Sequence, residues 1–407
     1  MLKSLTTKTL QFRGAGQQAL PLIIMSLFCL PARAELSDTI QPFVSVGITH
    51  DDNLLRLDQD ANPGVDLSDT YRSTIAGVKL EREIGRQKLT ASAKVSKLDF
   101  DRFSALNYTG KDASVNLDWQ LAGHLNGRLG GTYSEALASF EDFHTAARNL
   151  RTDKKVYGEA YWRFHPSWQV HGAHVREEFH FDLPAYAYNN RTEETTDAGF
   201  DYIAADTSTF GLMARRMKGI YPDTVFGTTV IDNGYVQDSI NLNVSWVASA
   251  VTQVTFLGGR ARRRNNASSL RDESGNNGRL IVNWIPRQRL QISGSAWREF
   301  GVTEGLQVNS ALSTGTNLTV TWTYSPKITV SGVIQNEKRD FRPLSGVVIT
   351  SGLTDRTHNA NVGVAYEPWR GVTMGLSAFA NGRSGSRAAF TNSYHDKGAS
   401  FNVGLKF

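Results

Sequence analysis

Cysteine is nearly absent from this sequence: Cys29 is the only one among 407 residues. Such a chain forms no internal disulfide and offers no multi-thiolate metal centre. Long apolar runs are missing too. The greasiest stretch, Ala19–Leu30, is twelve residues long, well short of the roughly 18 that a spanning helix needs. No charge of one sign dominates beyond the N-terminus. Residues 1–34 carry four of the 44 Lys/Arg and none of the 39 Asp/Glu, which leaves 40 basic against 39 acidic residues. The balance gives no broad basic field, so nucleic acid is not an expected partner. Neither G-x-S-x-G nor H-E-x-x-H occurs, and these are common signatures of serine hydrolases and zinc peptidases. His171 and His174 stand three apart, which on a strand puts them on opposite faces and denies them a shared metal. The expectation is no enzyme, no cofactor and no metal.

What is present is alternation. From Lys397 to Phe407, Ala399, Phe401, Val403, Leu405 and Phe407 fall on one face, with Gly398, Ser400, Asn402, Gly404 and Lys406 on the other. That period of two is a strand with one apolar and one polar side. A chain that ends on such a strand with a terminal aromatic resembles bacterial outer-membrane β-barrels, and the resemblance implies that Phe401, Val403, Leu405 and Phe407 are read by the barrel-assembly machinery. At the other end, Lys3, Lys8 and Arg13 precede the apolar run, and Ala32-Arg33-Ala34 follows it. This is the layout of a Sec signal peptide over 1–34, and the expected mature domain is 35–407. Phe28 before Cys29 does not fit a lipoprotein signal.

Tight turns recur near Gly85, Gly123, Pro166, Ala205, Ser249, Pro286, Pro326 and Pro368, at spacings close to forty residues. Longer polar stretches lie between them, including Leu54–Asp69, Pro222–Gly234, Asn265–Gly275 and Arg342–Asp355. Short turns alternating with long loops describe an outer-membrane barrel, with short periplasmic turns and longer outer loops. Eight turns imply about 18 antiparallel strands. A four-stranded propeller blade has a similar period, but propeller blades stack on both faces. Here Ile240, Leu242, Val244 and Trp246 oppose Ser239, Asn241, Asn243 and Ser245. A barrel in lipid with a wet lumen gives that contrast. Trp119, Trp162, Trp168, Trp246, Trp284, Trp322 and Trp369 all lie within four residues of a tight turn. Indole prefers the headgroup level, so these seven are expected to form a periplasmic aromatic girdle. The predicted fold class is therefore all-β, a transmembrane barrel of the Gram-negative outer membrane.

Strand parity turns Lys94, Asp112, Asp118, Arg128, Tyr157, Glu159 and Tyr161 toward the lumen, together with Arg163, Asp201, Arg215, Arg279, Glu299 and Arg383. Charges of both signs among hydroxyls and amides suit a hydrated solute, and tyrosines can stack on sugar faces. The basic run Arg260, Arg262, Arg263 and Arg264 is expected at the outer end of its strand, against lipopolysaccharide phosphates. An anionic sugar is the alternative ligand.

The first mature strand runs from Pro42 into Asp51-Asp52-Asn53-Leu54-Leu55-Arg56. An aromatic-glycine strand entering D-D-N-L-x-R resembles the N-terminus of the EpsL-type exopolysaccharide proteins, outer-membrane barrels of exosortase B/PEP-CTERM loci. Only Asp51, Asp52, Asn53 and Arg56 are motif-like; length, signal peptide and terminal Phe are similar in layout. The resemblance implies a barrel that carries a polysaccharide chain outward with other polysaccharide-export components. A nutrient-uptake porin is the alternative from the residues themselves, with a lipid- or polymer-modifying enzyme behind it.

Overall fold

The computed structural model describes residues 39–222, 224–226, 229–266, 272–302, 308–343, 353–389 and 391–407. The expected signal peptide lies outside the described residues.

Twenty strands are present among the described residues: β1 (Ile40–Asp51), β2 (Asp69–Ile84), β3 (Gln87–Phe100), β4 (Tyr108–Leu121), β5 (Leu125–Leu137), β6 (Leu150–His165), β7 (Trp168–Phe181), β8 (Arg191–Ile203), β9 (Thr209–Ile220), β10 (Thr224–Phe226), β11 (Thr229–Ile231), β12 (Tyr235–Ser249), β13 (Thr252–Asn265), β14 (Glu273–Arg287), β15 (Leu290–Val302), β16 (Val308–Ser325), β17 (Ile328–Pro343), β18 (Thr354–Tyr366), β19 (Val372–Ser384) and β20 (Tyr394–Lys406). The small hairpin β10–β11 stands apart, and the other strands form one 18-stranded sheet. Each pairs antiparallel with its neighbour in sequence order, and β12 follows β9 across the hairpin. The sheet closes on itself: Phe43 stands opposite Lys406 and Asp51 opposite Gly398 where β1 meets β20. Closure removes every open edge, so all ladder groups can be satisfied without water, as lipid requires.

One end of the barrel carries the short turns together with Ile40 and Lys406, the first and last strand residues. At Gly85 the chain reverses with φ of 62°, a left-handed value that glycine adopts without strain. The turns expected near Ser249 and Pro286 are present, at 250–251 and 288–289. Ser249 ends β12 and Pro286 lies in β14, at register shifts between Val247 and Ser249 and between Trp284 and Arg287. An irregular ladder tolerates the missing proline N–H, so β14 includes Pro286 and ends one residue later, at Arg287.

The other end carries the long connections, among them L1 (52–68), L3 (138–149) and L9 (385–393). The expected loops at Asn265–Gly275 and Arg342–Asp355 are described only in part, and Glu273, Ser274 and Gly275 belong to β14.

Alternation decides the faces. Val44, Val46, Ile48, Leu242, Leu318, Val362, Leu376 and Phe401 are exposed on the outside. Their neighbours in sequence line the lumen. Six of the seven girdle tryptophans are exposed near the short turns. Trp119 is only half exposed; its indole lies over Gly127, where a Cβ would come within 2.5 Å of the ring. An apolar outer band, an aromatic girdle and a polar interior define a transmembrane β-barrel.

Candidate functional site

The inner wall is built from cross-strand pairs. Lys94 on β3 pairs with Asp112 on β4 at 3.4 Å. Arg128 lies 3.1 Å from Asp118 and 3.4 Å from Glu159. Arg215 grips Asp197 through two nitrogens at 2.7 and 2.8 Å. Arg279 holds Glu299 at 2.7 Å and lies over the inward-facing Trp297. Asp201 accepts hydrogen bonds from Gln169 and from His171. The Tyr157 hydroxyl donates to Asn116, and the Tyr161 ring rests against His171. These candidates face the lumen, and each charge except Asp201 has a partner of opposite sign. Arg163 is different. It sits at the short-turn rim, exposed, and donates to the Pro166 carbonyl at 3.0 Å, so it braces a turn instead of lining a path.

The outer half of the lumen is occupied by the protein's own loops. L1 enters first. Leu54 and Leu55 are buried with Phe100, Leu106 and Leu137, an apolar wedge against the ends of β3–β6. The Asp51-Asp52-Asn53 motif sets this path. Asp51 accepts from the Asn53 amide and from Arg56, both at 2.9 Å. Asn53 is fully buried and donates to Leu57 and His395 carbonyls. Asp52 accepts from the Lys397 amide at 2.7 Å. Burial opposes the Arg56 charge, but Asp51 and Asp396 outweigh it and raise its pKa. The motif is therefore a clasp across the β1–β20 seam, and its acidic oxygens are engaged by the chain itself.

L3 then crosses the lumen. It leaves β5 and returns to β6, yet its tip bonds to strands far around the ring. Arg383 on β19 donates to the Glu141 carbonyl, lies 3.5 Å from Asp142, and meets His144 Nε2 at 3.2 Å. Arg339 on β17 approaches Asp142 at 3.6 Å while its other nitrogens hold Asp355. His144 Nδ1 contacts the Leu55 carbonyl, tying L3 to L1. Phe143, next to the tip residues Asp142 and His144, is buried against Phe181 and Tyr186. Burial, with the Asp142 charge beside it, lifts the Glu141 pKa. Burial and then the Arg383 charge push His144 down to about 4. L3 is thus a strut, held at its far end by two buried guanidiniums. Arg383 was legible as an inward residue; that it holds a loop was not.

Two further lumenal arginines, Arg151 and Arg191, were not among the sequence-based candidates, and a third, Arg263, was expected on the outer basic run. Arg151, Arg191 and Arg263 are buried on β6, β8 and β13, packed on Phe179 and Tyr235 at 4.9, 4.0 and 3.6 Å. Parity carried to the strand ends would have found them. Arg263 also corrects the expected outer basic run: the register pairs it with lumenal Gln237 and Glu273, while Arg260, Arg262 and Arg264 point outward. A four-residue basic run in a strand cannot face one way.

No protein-family model and no curated protein matches the chain. Solved structures that resemble it include OccAB3 of Acinetobacter baumannii (TM-score 0.46, 9% identity, covering 90% of this chain and 99% of that one). A BenF-like porin of Pseudomonas fluorescens Pf-5 is similar at TM-score 0.47 and 10% identity, over 92% of this chain and 100% of the porin. OccK2 (OpdF) of Pseudomonas aeruginosa is similar at TM-score 0.48 and 9% identity, over 90% and 98%. Likeness at this level carries no substrate with it. The class of this protein, a transmembrane β-barrel of the outer-membrane kind, rests on its own closed register, outer band and girdle.

Proposed function

We propose that the chain is an outer-membrane channel for small hydrophilic solutes, with passage limited by L3. The observation that carries this reading is the reach of L3 from β5–β6 to Arg339 and Arg383. A strut across the lumen, with L1 packed beside it, is poorly suited to threading a long hydrated polymer. It suits a channel that sorts solutes by size. The remaining wall, lined by self-paired charges among Ser, Thr and Asn, offers weak contacts at many sites, which lets a solute enter and leave.

Export of an exopolysaccharide, which the EpsL-type resemblance implies, would require L3 to withdraw from both arginines. Liposome swelling and a deletion strain separate the readings. The uptake reading expects entry of small neutral sugars, falling steeply with solute size, and unchanged surface polymer on deletion. Polymer trapped in the periplasm, with liposomes impermeable to small sugars, would overturn it.

A further inference from the structure

We propose that the outward face of β8, β9, β12 and β13 binds a phosphate of lipopolysaccharide in the outer leaflet, with an acyl chain laid along the groove beneath. Register lines up three outward rows across these strands. The first is Ala198, Ala214, Ile240 and Arg260; the next is Thr196, Arg216, Asp238 and Arg262. The third, toward the loops, is Glu194, Lys218, Val236 and Arg264. Below them the same face is apolar, with Phe200, Leu212 and Leu242 exposed. The charge therefore begins where the hydrocarbon band stops, at the end opposite the aromatic girdle.

Five cations here face two carboxylates, Asp238 on β12 and Glu194 on β8, and Glu194 is already held by Arg176 on β7 at 2.8 Å. Asp238 accepts from Arg216 at 2.7 Å and from Arg264 at 2.8 Å. Among the described residues Arg260 and Arg262 form no ion pair. Elsewhere around the rim several outward cations have anions beside them: Lys97 pairs with Asp99, Lys111 with Glu135, and Lys338 with Asp340. Arg298 and Arg356 form no ion pair among the described residues, and the β8–β13 face differs in gathering four arginines across three adjacent strands. Unneutralised arginine facing lipid is costly unless it reaches the interface or an anion. A phosphate answers both needs, since guanidinium binds it through paired N–H bonds. A shallow open groove of about 710 Å³ runs across this face, lined by Ala198, Ala214 and Ile240 and also by Arg216, Asp238, Arg260 and Arg262. Small residues leave space for a chain, and the arginines stand where its headgroup would lie.

The test is native mass spectrometry of the full chain in mild detergent, titrated with diphosphorylated lipid A, with its dephosphorylated form and with phosphatidylglycerol. Arg260→Gln with Arg262→Gln removes the free cations and leaves the Asp238 cluster intact. Lys97→Gln with Lys111→Gln is the control on a neutralised sector. The proposal expects about ten-fold weaker binding of diphosphorylated lipid A by the first pair and no change in the control. Wild type should also discriminate against the other two lipids by a similar factor, a comparison that holds even if a variant fails to fold. Equal binding by the first pair, or equal affinity of wild type for phosphatidylglycerol or dephosphorylated lipid A, would overturn it.

Discussion

Arg56 joins the first strand to the last: its Nη1 lies 2.9 Å from Asp51 Oδ2 and 3.1 Å from Asp396 Oδ2. A barrel has one seam between its terminal strands, and here that seam carries a buried charge clasp as well as ladder hydrogen bonds. Removing one member of a buried pair leaves the others uncompensated, at a cost of about 3–5 kcal/mol. Arg56→Met should therefore lower the temperature at which the folded band disappears on semi-native gels. Arg56→Lys keeps the charge but loses the planar fork and should fall between. An unchanged transition in Arg56→Met would remove the clasp from the account.

Topology is checked by labelling. Ala61 lies in L1 and Ala250 in a short turn, and both are exposed. In intact cells Ala61→Cys should react with an impermeant maleimide and Ala250→Cys should not. The reverse pattern would invert the barrel.

The outward band gives a third expectation. Leu405 is exposed on the lipid face of β20 and pairs with Val44 across the seam. Leu405→Asp puts a carboxylate into that band, where charge costs free energy according to its depth. Less folded barrel should reach the membrane, while Ser400→Asp, on the lumenal side of the same strand, should be tolerated. Equal yields of the two would contradict the assigned faces.

Acid should loosen L3. A His144 free in water takes a proton near 6.5, whereas the docked side chain resists until about 4. The released loop binds more protons in that window, so docking weakens as pH falls from 6.5 toward 4, by roughly 3 kcal/mol at most. Glu141 works in the opposite sense, since its raised pKa favours the docked form once protonated. In a Glu141→Gln background, channel noise should rise as pH drops through this window, and His144→Gln should abolish the rise. A pH-independent trace in the Glu141→Gln channel would refute the assignment.

The barrel was legible because lipid and water impose a period of two over whole strands. Eight short turns, 18 strands and the facing of Lys94, Asp112 and Arg279 follow from parity and turn chemistry alone. The outer half was not legible, because no local pattern says where a loop goes after leaving its strand. Leu54 and Leu55 were a hint: two leucines in a supposed outer loop need something to pack on. Asp142 and Arg383 are 241 positions apart, and only closure of the ring brings them together. Arg263 was misplaced because the run of arginines was taken as a block instead of being split by parity.

The central claim is that L3, pinned by Arg339 and Arg383, sets the width of the channel. The direct measurement is single-channel conductance in planar bilayers for wild type and for Asp142→Asn combined with Arg383→Gln, which removes the ionic pins while leaving the barrel wall and Phe143 in place. The account predicts a several-fold larger conductance in the double variant, with more frequent substates as the loop swings. Identical conductance and noise in the two proteins, with the double variant folded, would contradict it.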